Sequence, residues 1–149
     1  MSRIRILFLC TGNSCRSQMA EGWARHLKAA TLDVASAGTY PSFVHPLAVR
    51  VMREAGVDIS GQRSKGVEEF LDQEFDYVVT LCGHAREVCP VFPGETKIVH
   101  RGIDDPVWSV GDEELALAEF RRVRDEIRAL VEGLPENLET EDEQRRADR

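Results

Sequence analysis

The chain predicts a single-domain α/β fold, an open parallel sheet of about four strands flanked by helices, and three observations predict it. Stretches that read as strands stand at residues 4–9, 32–37, 77–81 and 96–99. Amphipathic stretches with helical spacing alternate with them, as a parallel sheet with crossover connections requires. No internal repeat and no composition break divides the 149 residues until a charged tail begins at Glu136. That length suffices for one sizeable core without disulfide staples.

The first strand, Ile4 to Leu9, is apolar on both faces apart from Arg5, which suits a central parallel strand. A turn from Cys10 to Ser17 follows, with Ser17 expected as the N-cap of the next helix. In that helix Met19, Ala20, Trp23, Ala24 and Leu27 fall on one face, with Glu21 and Arg25 outside as an i, i+4 pair. Leu32 to Ala37 reads as the second strand and completes a βαβ unit. Pro46 opens another helix, with Leu47, Val51, Met52 and Ala55 as its buried stripe and Gly56 as its stop. Val67, Phe70 and Leu71 suggest a short helix. Tyr77 to Leu81 and Thr96 to Val99 are the third and fourth strands. Pro90 and Pro93 bar a long regular element between them. Ala116, Phe120, Val123, Ile127, Leu130 and Val131 mark a last amphipathic helix, from about Asp112 to Glu132. The domain is expected to span residues 1–135. Residues 136–149, with six acids, three arginines and almost nothing apolar, are expected to be a disordered tail.

Composition removes several function classes. The net charge is −7, from 19 basic and 26 acidic residues, and no basic stripe interrupts it, so nucleic acid is not an expected partner. The apolar start of the chain turns polar at Thr11, too short a run for a signal peptide or a membrane span, and a cytoplasmic protein is expected. In that compartment the four cysteines, Cys10, Cys15, Cys82 and Cys89, read as catalytic or redox thiols rather than structural bridges. With His84 they are nominally enough to hold zinc. Their spacings, C-x4-C and C-x6-C, lack the tight C-x2-C knuckle, so no metal site is expected.

In an open parallel sheet, ligands sit at the carboxyl ends of the strands. That rule gathers the chemistry on one rim. Cys10 to Ser17, Cys-Thr-Gly-Asn-Ser-Cys-Arg-Ser, lies between a strand and a helix N-terminus. Unpaired backbone N–H groups and the helix dipole make such a turn an anion site, and Gly12 and Asn13 tolerate the left-handed angles that aim more N–H groups inward. The substrate-binding residues are therefore expected to be Thr11, Gly12, Asn13, Ser14, Cys15, Arg16 and Ser17, with Cys10 as a thiolate favoured by Arg16 and the helix. A lone C-x5-R is more often a buried cysteine and a solvated arginine; the order strand, Gly-Asn turn, Arg-Ser and helix favours function. Asp105, held extended before Pro106 after the fourth strand, is the expected general acid, although Asp-Asp-Pro by itself is an ordinary turn. Trp108 either walls the site or packs a loop. Cys82 ends the third strand. Cys82 and Cys89 lie seven residues apart, about 10 Å on a rigid helix, so they approach disulfide range only if the segment unwinds. His84 and Arg86 add positive charge beside Cys82.

The stretch Cys10 to Trp23, Thr80 to Cys82, Cys89-Pro90 and Asp104 to Pro106 resembles the thioredoxin-coupled arsenate reductases, which share the low-molecular-weight protein tyrosine phosphatase fold. The resemblance covers about Arg3 to Leu134. Its phosphate loop is common to reductases and phosphatases, and the Cys82 and Cys89 pair points to the reductases. The resemblance implies that Cys10 attacks arsenate held by the loop and Arg16, with Asp105 protonating the departing oxygen and Ser17 supporting the thiolate. Cys82 then attacks the Cys10 sulfur and releases arsenite. Cys89 takes the disulfide to the surface, where thioredoxin reduces it. Phosphate and sulfate would compete as oxyanions, and Cys15 would be a structural bystander. No tightly bound cofactor is implied. Some members bind potassium through residues matching Asn13, Glu21 and Ser36 with an acid where this chain has Lys65, so little activation by potassium is expected here. An ammonium there either takes the cation's place beside Glu21 or stays solvated. Two other readings stand at this point: a phosphatase working through a Cys10 phosphocysteine, and a redox-sensing or anion-binding protein without catalysis.

Overall fold

The computed structural model describes residues 3–108 and 112–139. The chain runs β1 (Ile4–Cys10), α1 (Arg16–Leu27), β2 (Leu32–Gly38), α2 (Pro46–Glu54), a 3-10 turn (Val67–Phe70) and β3 (Tyr77–Thr80). It continues through α3 (Gly83–Val88), β4 (Lys97–His100), a second 3-10 turn (Pro106–Trp108), α4 (Glu113–Glu132) and a third 3-10 turn (Glu136–Leu138). All four strands are parallel, in the order β2-β1-β3-β4.

Strand β1 alternates between two cores. Ile6, Phe8 and Cys10 join Trp23, Met52, Phe120 and Ile127 under α1, α2 and α4, while Leu7 and Leu9 join Val78, Ala85 and Phe92 under α3. Burial on both faces explains why β1 carries no polar alternation. Because β1 pairs with β2 on one side and β3 on the other, the connections leaving β1 and β3 diverge and open a crevice at their carboxyl ends.

Several expectations shift by a turn or a face. Cys15, not Ser17, holds the N-cap position of α1, without a side-chain cap bond, and Ser17 lies in the first turn with its hydroxyl committed elsewhere. Leu27 is exposed at the C-terminal end of α1, whereas Glu21, expected outside, is buried against Ser36 of β2. In α4 the buried position is Leu117 rather than Ala116. Leu47 and Ala55 are only partly buried, with Ala48 filling the α2 stripe, and Leu71 is exposed. Leu138, which lies past the expected boundary at residue 135, is fully buried in the main core; residues 140–149 lie outside the described residues. The side chain of Trp108 does too.

Candidate active site

The loop between β1 and α1 is held open from behind. Its carbonyls face outward into bonds from distant segments: Cys10 accepts from Thr39 N, Thr11 from Tyr40 N, Gly12 from Ser42 N and Ser64 Oγ, and Ser14 from His45 N, at 2.8–3.1 Å. Carbonyls engaged from behind leave the loop's N–H groups as the polar groups available to an anion. The left-handed residue that makes this possible is Asn13 (φ 47°); Gly12, expected to share that role, has no positive φ. Gly38 pairs with Cys10 across the sheet, and a Cβ there would stand 2.5 Å from Thr11 O and 2.8 Å from Asn13 N. The glycine is what lets the loop fold back over β2.

Cys10, 2% exposed, stands at the start of this loop, with its Sγ 2.9 Å from Ser17 Oγ. Arg16 reaches across the mouth: Nη1 donates to Ile103 O at 3.1 Å and Nη2 pairs with Asp105 Oδ2 at 3.4 Å. Its Nε is buried with no protein partner, a donor that a bound oxyanion would satisfy. Asp105 Oδ1 accepts from Val107 N at 3.0 Å, which fixes the carboxylate over the cavity. Cys15 Sγ stands 4.0 Å from Asp105 Oδ1, and burial, then Asp105 and Cys10, push its thiol up to about 12. A protonated thiol is no nucleophile.

These groups surround one cavity of about 530 Å³. Thr11, Gly12, Ser14 and Cys15 form part of its lining with Cys10 and Arg16; Cys82 and His84 enter from after β3, and Asp105 and Val107 from after β4. Cys82 caps α3, its Sγ accepting from Ala85 N at 3.4 Å, and it touches Thr11 Oγ1 at 3.3 Å. Thus Cys10, Cys82, Arg16 and Asp105 converge, as the rim argument requires. Cys89 does not line the cavity: it ends α3 and packs, half-buried, with the smaller core, where burial raises its thiol.

Sequence reasoning missed Phe43 and His45. Both line the cavity, with the His45 ring tilted against Phe120 at 4.9 Å and its Nδ1 accepting from Leu47 N to cap α2. His-Pro at the start of a helix was the available signal. Burial lowers the His45 pKa, with Asp105 pulling the other way, and so favours the neutral ring that can accept at Nδ1.

Behind the loop, Asn13, Glu21, Ser36 and Lys65 do come together, but as a closed network. Asn13 Oδ1 accepts from Gln18 Nε2 and Lys65 N, both at 2.8 Å, and Ser36 Oγ donates to Glu21 Oε1 at 2.6 Å. The Lys65 ammonium, with its side chain 11% exposed, pairs with the same Glu21 oxygen at 3.5 Å. These groups do not fit potassium, because an ammonium and committed oxygens occupy the donor set. Among the described residues, no group of three His, Cys, Asp or Glu side chains could hold a metal ion, and no helix is long and apolar enough to cross a membrane.

Known proteins are similar to this chain in sequence and in fold. The family described as low molecular weight phosphotyrosine protein phosphatase matches residues 5–145. An arsenate reductase of Halalkalibacterium halodurans is 50% identical over 136 residues, covering 91% of this chain and 98% of its own. A solved arsenate reductase in the phosphate binding state superposes with a TM-score of 0.70 at 36% identity, covering 91% of this chain and 99% of its own. A thioredoxin-dependent arsenate reductase of Corynebacterium glutamicum gives 0.68 at 28% identity, covering 91% and 62%. With its sheet order, its anion loop and these matches, the chain belongs to the low molecular weight phosphotyrosine protein phosphatase family, in its arsenate reductase branch.

Proposed function

We propose that this enzyme is a cytoplasmic arsenate reductase working by a three-thiol relay, and one observation carries the reading: Cys82 faces the cavity that holds Cys10 and touches Thr11, the residue after it. Arsenate enters the loop and is held by its N–H groups and Arg16, where phosphate and sulfate compete for the same contacts. The Cys10 thiolate attacks arsenic, and an oxygen leaves as water with a proton from Asp105. Cys82 then attacks Cys10 Sγ. The electron pair of the sulfur–arsenic bond stays on arsenic, which leaves as arsenite, and a Cys10–Cys82 disulfide remains. Cys89 attacks Cys82 Sγ, Cys10 departs as a thiolate, and the disulfide now joins Cys82 and Cys89. A dithiol donor reduces it. Thioredoxin is the donor we infer, from the cysteine count and from the similar thioredoxin-dependent enzyme.

The relay imposes a structural step. Cys82 and Cys89 stand at the two ends of α3, and a helix keeps such a pair about 10 Å apart, beyond disulfide reach. Helix α3 therefore unwinds as the second disulfide forms. At six residues it is short enough to do so at little cost.

The test is arsenite production with thioredoxin, thioredoxin reductase and NADPH. Turnover is expected for the wild type and none above background for Cys82→Ser or Cys89→Ser; wild-type-like turnover by either variant removes the relay. A phosphatase reading has one observation in its favour, since Arg16 and Asp105 flank Cys10 as an ester-hydrolysing site needs. It prevails if the wild type fails to reduce arsenate while Cys82→Ser retains strong aryl phosphate hydrolysis.

A further inference from the structure

A line of buried polar groups leads from Cys10, away from the cavity, to a lysine. Ser17 Oγ is 2.9 Å from Cys10 Sγ, and Asn13 Nδ2 donates both to Ser17 Oγ at 2.8 Å and to Ser36 Oγ at 2.9 Å. Ser36 Oγ donates to Glu21 Oε1 at 2.6 Å. Asn13, Ser17, Ser36 and Glu21 are each at most 3% exposed. Such a network has a polarity, and at the Asn13 amide it is determined. Lys65 N and Gln18 Nε2 both donate to Asn13 Oδ1, which fixes which end of the amide is NH2. The amide then donates in both directions. Ser17, already accepting, has its own hydrogen left for Cys10, while Ser36, already accepting, has its hydrogen left for Glu21.

The far end of the line depends on a carboxylate that accepts. Glu21 has two cationic neighbours of different quality. Arg25 meets Oε2 at 3.0 Å, but its side chain is 60% exposed and water screens the pair. Lys65 meets Oε1, the oxygen to which Ser36 donates, and is itself held by a bond to Arg63 O at 2.9 Å. A buried carboxylate that loses its close cation is strongly disfavoured. Without that cation the carboxylate no longer holds the Ser36 hydroxyl in one orientation, and the Asn13 amide and Ser17 hydroxyl are free to turn.

We propose that Lys65 is a positioning residue for the nucleophile: through Glu21, Ser36 and Asn13 its ammonium keeps the Ser17 hydroxyl aimed at the Cys10 thiolate. The proposal rests on the reading of Cys10 as the attacking thiol. It also gives the chain's own ammonium the work of a cation, at a place whose oxygens do not fit potassium.

The experiment follows alkylation of Cys10 by iodoacetamide across pH, with the modified peptide identified by mass and phosphate protection as the mark of the active-site thiol. Lys65→Met keeps the side-chain length and the backbone bond to Asn13 but removes the charge. The expected result is a midpoint raised by about one pH unit, so that alkylation well below the midpoint slows up to about tenfold. Lys65→Arg is expected to restore the wild-type midpoint. In a Glu21→Gln background Lys65→Met is expected to add little, because the two act on one line. Should Lys65→Met fail to fold, Lys65→Gln, which retains a donor for Arg63 O, takes its place with the same expectation. Superimposable alkylation profiles for wild type and variant, with a lowered melting temperature, overturn the proposal and leave Lys65 a structural pair. Absence of phosphate-protected alkylation at Cys10 in the wild type overturns the nucleophile reading itself, and this proposal with it.

Discussion

Burial, with Asp105 and Cys10 nearby, raises the Cys15 thiol from 9.0 to about 12. This single group gives the fold a dependence on alkaline pH. Below pH 9 the thiol is protonated in the folded and unfolded chain alike, so its full contribution is present. As pH rises above 9 the unfolded chain releases the proton first, and stability falls until the folded thiol ionises near 12. The slope from this one group is at most about 1.4 kcal/mol per pH unit. Cys15→Ala is therefore expected to gain on the wild type between about pH 8 and pH 10.5 in urea unfolding. A difference in stability that stays constant across that range would contradict the assignment. The same displacement explains why the sequence, with four thiols, needs a structure to sort them. Cys10 and Cys15 share one loop, and only their surroundings separate a thiol placed for attack from one kept protonated. Ser17 carries the same lesson: its place before a helical pattern reads as a cap, but its hydroxyl serves Cys10 and Asn13, and the loop backbone takes the cap position.

At the scale of elements, the strands and long helices were legible because burial writes a period into the sequence. The site was legible where those elements end, since topology alone carries Cys10, Cys82 and Asp105 to one rim. What was not legible is how the loop is held, because its partners come from irregular segments. Ser42, Ser64, His45 and Lys65 each bond to it across some thirty to fifty residues without any periodic signal. The β1–β2 register exposes this support to test. Gly38 stands opposite Cys10, and the atoms a Cβ would strike are backbone, which cannot rotate away as a side chain can. Gly38→Ala is expected to displace the loop by a fraction of an ångström to an ångström and to lower kcat/KM for arsenate by about 10²-fold. Gly61→Ala, where nothing lies within 4 Å, is the control and is expected to leave kcat/KM unchanged. Equal activities of the two variants would mean that the loop is held by something other than this close approach.

The whole molecule works against its own site. A chain with net charge −7 that must capture an oxyanion gains nothing from its overall field, which repels the substrate at long range. Capture has to come from groups within a few ångströms: the loop N–H groups, the N-terminus of α1 and Arg16, whose Nε is buried and unpartnered by protein. Those contacts lie well inside the Debye length of about 10 Å at 0.1 M salt, and burial protects them further, so added ions screen the distant repulsion more than the local attraction. The balance has a measurable sign. Raising sodium chloride from about 10 to about 150 mM is expected to leave kcat/KM for arsenate level or to raise it modestly. An enzyme that gathers its anion by a global positive field would show a steep fall over the same range. A fall of more than about threefold would therefore place the source of capture outside the loop, on a charged surface that the sum of residues does not provide.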